Sequence, residues 1–225
     1  MTDGLVLAVC AASDDVLLDG VGPSGIDKRP ADGRVHVGEL GLVTDHVCNT
    51  KHHGGVDQAV YAYADPEARR WADELGRELP YGWFGENLRI DGMAVTDAVV
   101  GERWEVGTDG LVLEVTIPRV PCKTFAVWAG EPRWMKRFLA QADFGTYLRV
   151  VRNGTVAQGD RITVVHRPGH GVRSRDLLAG GDVEAIRSLL AQDDLPAKVR
   201  REATKMVNKS ERRVGAATQG GQHKS

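Results

Sequence analysis

Leu111-Val112-Leu113-Glu114-Val115-Thr116-Ile117-Pro118-Arg119-Val120-Pro121-Cys122-Lys123 runs from a β-prone stretch straight into a segment where one thiol stands between two cations. The β-branched residues of 111–117 predict a strand. Each proline fixes its own φ and biases the residue before it toward extended geometry, so Cys122 is expected in a stiff turn at the strand's exit. Neighbouring positive charge favours the thiolate, the form that attacks electrophiles or binds metals. A free cysteine can also be a small buried hydrophobe, and both readings stand at this point.

The pattern continues on either side. Residues 87–90 precede Asp91-Gly92, Val99-Val100 and residues 103–106 are extended runs on either side of Gly101, and residues 147–151 and 161–165 flank Asn153-Gly154 and Gln158-Gly159-Asp160. Two further extended runs, 5–11 and 35–42, are separated by Asp19-Gly20-Val21-Gly22-Pro23-Ser24-Gly25. Short strands with this turn punctuation predict a mainly β (α+β) fold with its sheet closed into a barrel. Helices are expected over 65–79, where Ala68, Trp71, Ala72 and Leu75 recur at helical spacing behind Pro66, and over 132–142. From Val172 the pattern turns helical: Ser174 is a candidate cap for a helix through Leu178, and Asp182 for one through Leu190. Pro196 opens a third, with Val199, Ala203 and Met206 on one face. The expected organisation is a barrel domain over 1–170, a helical appendage over 171–213, and a polar, disordered tail over 214–225.

The 225 residues carry a formal net charge of -2. That balance gives no global pull toward nucleic acid or an anionic membrane. No apolar run approaches the roughly twenty residues that cross a bilayer. Three cysteines and no secretory segment argue against a disulfide framework, so the cytoplasm is the expected compartment. Cys10 lies in an apolar run, and Cys48 lacks the spacing of a zinc knuckle, so neither reads as half of a metal-binding pair.

Two other blocks carry chemistry. In Lys51-His52-His53-Gly54-Gly55-Val56-Asp57-Gln58 the adjacent histidines of an extended segment face opposite ways, and His53 is taken as the pocket-facing one. Gly54 and Gly55 permit positive φ and close backbone approach to a ligand; a solvated surface loop is the alternative. In Phe84-Gly85-Glu86-Asn87-Leu88, Glu86 and Asn87 offer a carboxylate and an amide to a polar ligand, with a turn in which Asn87 satisfies its own backbone as the alternative.

In this order, the blocks Lys51–Tyr61, Phe84–Leu88 and Pro118–Cys122 resemble the MOSC domains, named for the C-terminal domain of molybdenum cofactor sulfurase, and within them the stand-alone YiiM-like branch. Lys28-Arg29-Pro30, Gly101-Glu102-Arg103-Trp104, the 145–150 run and Gly159-Asp160 add support. The resemblance implies a β-barrel with peripheral helices and a pocket for the molybdenum cofactor. Cys122 matches the family's cysteine, implied to ligate molybdenum or carry sulfur, and a soft thiolate suits that centre. Arg119 matches the arginine implied to meet the cofactor's anionic groups, and His53 the histidine placed for proton delivery. Lys28 or Arg29, Lys51, Gly54, Gly55, Asn87 and Lys123 complete the implied binding set. The family often has Pro-Cys-x-Lys, whereas here Lys123 directly follows the cysteine and Thr124 holds the usual lysine position. In extended geometry that shift turns the ammonium to the opposite face. Pyridoxal phosphate belongs to the larger sulfurases and is not expected in this chain.

Two functions follow as expectations. One is a molybdenum-dependent reductase of N-hydroxylated compounds, of the hydroxylaminopurine type and serving detoxification. It would take electrons from a separate reductase, since the chain has no flavin, haem or iron–sulfur motif. The other is a non-catalytic carrier of the molybdenum cofactor, or of sulfur on Cys122. A thiol hydrolase using Cys122 and His53 is a third, weaker reading. Nucleic acid and membrane are not expected partners, and a homodimer is compatible with the chain.

Overall fold

A computed structural model describes residues 3–48 and 54–220, with side chains to Arg212. The chain runs β1 (Asp3–Ala11), β2 (Val16–Leu18), β3 (Gly22–Ser24), β4 (Arg29–Pro30), β5 (Val35–Gly38), β6 (Gly41–Leu42), a 3-10 turn (Val56–Gln58), β7 (Val60–Ala64), α1 (Asp65–Leu75) and β8 (Leu88–Asp91). It continues through β9 (Arg103–Val106), β10 (Leu111–Pro118), α2 (Lys123–Ala129), α3 (Trp134–Gln141), β11 (Thr146–Arg152), β12 (Gly154–Val156), β13 (Arg161–His166), α4 (Asp176–Ala179), α5 (Val183–Leu190) and α6 (Ala197–Gly220).

Seven strands close a mixed barrel in the order β1, β8, β7, β11, β10, β9, β13 and back to β1, with Asp3 opposite Thr163 at the closure. All pairs are antiparallel except β7 with β8, where α1 makes the crossover that parallel strands require. Strand β7 shows why: Val60, Ala62 and Ala64 fill the barrel, while Tyr61 and Tyr63 point outward into an aromatic layer. That layer, with Trp71, Trp83, Phe84, Phe125, Trp134 and Phe138, packs α1, α2 and α3 against the barrel wall. A third cluster joins Ile186, Leu189, Val199, Ala203 and Met206 of α5 and α6 to Val100 and Ile117, so the appendage is seated on the barrel. No helix of the described residues is long and apolar enough to cross a membrane.

The differences from the sequence reading are local. Helix α1 stops at Leu75, short of Leu79, because Gly76 takes the left-handed conformation (φ 63°) and its N–H caps Ala72 and Asp73 carbonyls. Residues 35–42 form a hairpin of β5 and β6 and not one strand, and its Gly41 (φ 113°) lies so close to Ala59 that a Cβ there would stand 2.1 Å from the Ala59 carbonyl oxygen. Val99 and Val100 form no strand; Val99 makes an isolated bridge to Arg173. Ser174 does not cap α4, because its hydroxyl accepts from Thr146 Oγ1 at 2.8 Å in the core. Asp182 does cap α5, accepting from the Glu184 and Ala185 amides. The backbone of α6 stays helical to Gly220, past residue 213, and residues 221–225 lie outside the description.

Candidate functional site

A cavity of about 830 Å³ opens on one side of the barrel, between the β2–β3 hairpin, the 40–48 segment, Gly54 to Ala59, and the segment following β10. Arg119, Cys122 and Thr124 come to it from that last segment, Lys28 and Asp45 from the N-terminal loops, and Gly85 and Asn87 from the approach to β8.

The extended chain leaving β10 does not end in an isolated turn. Cys122 (φ -126°, ψ 172°) is the last extended residue before α2, whose Phe125 and Ala129 are buried. Strand, proline pair and helix hold the half-buried thiol at the cavity wall. Arg119 is buried, donates to the carbonyl of Phe84, and has its guanidinium carbon 3.7 Å from the centroid of Phe125 and 5.3 Å from that of Tyr61. Among the described residues no carboxylate pairs with it, and its electrostatic neighbours are Tyr61, Tyr147 and Cys122. Burial pushes the Tyr61 hydroxyl far above its ordinary value, so it stays a neutral group donating to Phe144 at 2.8 Å. A desolvated guanidinium without a counter-ion is costly, and π faces and a carbonyl offset only part of that cost. The cavity therefore offers a cation suited to an anionic ligand, beside a sulfur.

Of the lysine-arginine pair, the structure brings Lys28 to the cavity, buried and bonded to both oxygens of Asp45. Arg29 points to solvent and pairs with Asp27 at 2.9 Å. Lys123 also turns away from the cavity, donating to the Gly20 carbonyl at 2.6 Å and pinning the β2–β3 turn. Gly54 (φ 71°) and Gly55 (φ 79°) line the cavity, and a Cβ on Gly55 would meet nothing within 4 Å, so its backbone is open to a ligand. Lys51 and His53 lie outside the described residues.

Asn87 reaches the cavity wall with its amide fully engaged. Its Oδ1 accepts from the Tyr61 amide at 3.0 Å, and its Nδ2 donates to Cys10 O at 3.2 Å and Asp45 Oδ2 at 2.7 Å. Its place in the site is to tie β1, β7 and the Asp45 loop together. Glu86 is likewise consumed, accepting from the amides of Gly82 and Phe84 and from Arg89. Cys10 is buried, and burial pushes its thiol up to about 12, which keeps it neutral and structural.

Lys198 of α6 gave no local signal in the sequence. Its backbone N–H donates to Asp57 Oδ2 at 2.9 Å, and its ammonium donates to Gly54 O at 2.6 Å and to Gln58 Oε1. Only the tertiary fold reveals that the appendage clamps the glycine segment of the cavity.

Comparisons with known proteins agree with this architecture. A "Reductase" from Gibberella moniliformis is 31% identical over 148 residues, 64% of this chain and 26% of that protein. "Protein YiiM" of Escherichia coli is 34% identical over 103 residues, 44% of this chain and 45% of that protein. The chain thus spans less than half the length of either relative. The crystal structure of YiiM from Geobacillus stearothermophilus superposes with a TM-score of 0.72 at 22% identity, covering 91% of this chain and 99% of that one, and so shares the fold. The MOSC domain model matches residues 49–163, just over half of the sequence and the stretch that contains the cysteine, both glycines and the arginine. The chain belongs to the MOSC domain family.

Proposed function

We propose that this protein binds the molybdenum cofactor in the cavity and reduces N-hydroxylated compounds, R–NHOH + 2e⁻ + 2H⁺ → R–NH₂ + H₂O, with electrons from a separate reductase. One observation carries the reading: a half-buried thiol and a buried guanidinium that has no carboxylate partner among the described residues share one cavity. The donor set fits the group, because sulfur is a soft ligand for a soft metal centre and a planar guanidinium meets phosphate or dithiolene charge with two parallel donors. The open backbone at Gly55 gives a ligand room to approach.

Cys122 would hold the metal, and Arg119, Lys28, Gly54 and Gly55 the anionic and polar groups around it. The cofactor, when bound, supplies the two-electron chemistry at the N–O bond. The chain's own work is to position: Phe125 and Phe84 fix Arg119, Asn87 holds the Asp45 that fixes Lys28, and Lys198 fixes the glycine segment. His53 is assigned proton delivery to the leaving oxygen on its family position alone.

Elemental analysis tests the reading, on protein made in a host with intact cofactor biosynthesis. Near-stoichiometric molybdenum, lost in Cys122→Ser, is expected, with turnover of a hydroxylaminopurine by a reduced dye. Absence of molybdenum would overturn it. Loaded protein without turnover would favour the carrier.

A further inference from the structure

Three donor side chains meet at the rim of the same cavity without any part in the reading above. His46 and Cys48 line the cavity wall, and Asp15 comes to them from the loop between β1 and β2. The imidazole, thiol and carboxylate atoms all lie within 4.8 Å of one another.

The orientation of His46 decides what the cluster can hold. Its Nδ1 is 3.0 Å from the Ala12 carbonyl oxygen, and a carbonyl only accepts, so Nδ1 carries a hydrogen and Nε2 is the ring position left for a second proton or a metal. That Nε2 faces Asp15 Oδ1 at 2.5 Å, and Cys48 Sγ approaches the same oxygen at 2.9 Å. A lone pair set against a carboxylate oxygen is repulsive unless a cation lies between them. At 2.5 Å a ring proton bridges the two atoms in the metal-free chain, and a metal ion would take that proton's place as the two ligands move apart to its bonding distances.

We infer that Asp15, His46 and Cys48 form a three-ligand site for a divalent transition metal, zinc above all. Imidazole, thiolate and carboxylate are the zinc donor set, with bonds of about 2.0 to 2.3 Å, and magnesium or calcium would require oxygen ligands throughout. The bond from Nδ1–H to a backbone carbonyl is the usual outer support of a metal-bound histidine. It is anchored in turn, because the Ala12 amide donates to Asp45 Oδ1 at 2.9 Å and Asp45 is held by Lys28 and Asn87. Binding exchanges the Cys48 S–H proton for an S–metal bond and the proton between His46 Nε2 and Asp15 for an N–metal bond, and releases both protons to solvent; no electrons move. Three protein ligands leave a fourth position for water or an anionic group of a cavity occupant. The inference is independent of molybdenum binding at Cys122.

Cobalt(II) titration of the full-length chain, after dialysis against a chelator, tests it. One equivalent should give a thiolate-to-cobalt charge-transfer band that zinc abolishes, that is absent in Cys48→Ser, and that persists in Cys122→Ser. Asp15→Asn and His46→Gln should each weaken cobalt binding by about tenfold or more. In the unaltered chain, zinc should protect Cys48 from alkylation, read by peptide mass spectrometry. Absence of the band, a band that survives Cys48→Ser or vanishes with Cys122→Ser, unchanged affinity in the Asp15 and His46 variants, or alkylation of Cys48 unaffected by zinc would overturn the site and leave a proton as the cation.

Discussion

The guanidinium of Arg119 stands 3.7 Å from the ring centroid of Phe125, so the helix that begins after Cys122 supplies the aromatic face for the arginine that precedes it. Thiol and cation, three residues apart, are locked by a ring three residues further on. Contacts of this kind are worth about 2 kcal/mol when desolvated. Phe125→Leu is expected to keep the fold, lower stability by about 1 to 3 kcal/mol and reduce molybdenum retention, whereas Arg119→Lys, which keeps the charge but loses the planar fork, should reduce retention more than stability. Urea unfolding and metal analysis of both variants separate the two effects.

Lys198 should control the mobility of the glycine segment from outside the cavity. Lys198→Met removes the ammonium's bonds to Gly54 and Gln58 while leaving the backbone donor to Asp57. Amide hydrogen exchange around Gly55 to Gln58 should accelerate, with a stability loss of about 1 to 2 kcal/mol. Equal exchange in variant and parent would refute the clamp.

Glu67 gives the fold a defined pH response. Its carboxyl turns inward to accept from Thr96 Oγ1 at 2.8 Å, and burial pushes its pKa from 4.5 up to about 8. The folded chain then keeps a proton that the unfolded chain loses, so this group's effect is neutral below about 4.5 and increasingly destabilising as pH rises toward about 8. Glu67→Gln should flatten that slope and make the variant relatively more stable at pH 9 than at pH 5. Thermal melts across this range supply the comparison.

Gly82 is the glycine whose replacement should cost most near the site. Its φ is 87°, and a Cβ would lie 2.0 Å from the Lys28 carbonyl oxygen, which is backbone and cannot swing aside. Gly82→Ala should therefore destabilise by about 3 kcal/mol or more and displace Lys28. Gly76→Ala, at φ 63° but with open space around it, should cost only about 1 kcal/mol.

The barrel strands were readable because β-branched runs and turn residues alternate along the chain, and both α1 and the Asp182 cap followed from spacing and chemistry. Helix α2 was not readable: Lys123-Thr124-Phe125-Ala126-Val127-Trp128 has no polar face to mark a helical period, since Phe125 is buried in the aromatic layer and Ala126 and Trp128 pack against it. Cys122, Arg119 and the glycine pair could be singled out by residue type. What those types could not reveal was commitment. Asn87 and Lys123 have the chemistry of ligand-binding groups, yet tertiary partners use up the Asn87 amide and draw Lys123 to Gly20. His46, Cys48 and Asp15 show the converse, because nothing local relates residues 31 and 33 positions apart.

The pairing of Asp3–Leu5 with Arg161–Thr163 carries a consequence for synthesis. Strand β1 leaves the ribosome before the other barrel strands, but one of its two barrel neighbours emerges only after some 150 further residues, so its edge waits exposed while they are made. Contacts this distant in sequence also slow refolding, because the loop must close before the pairing repays it. The ring of strands thus closes only after every segment that lines the cavity has been made.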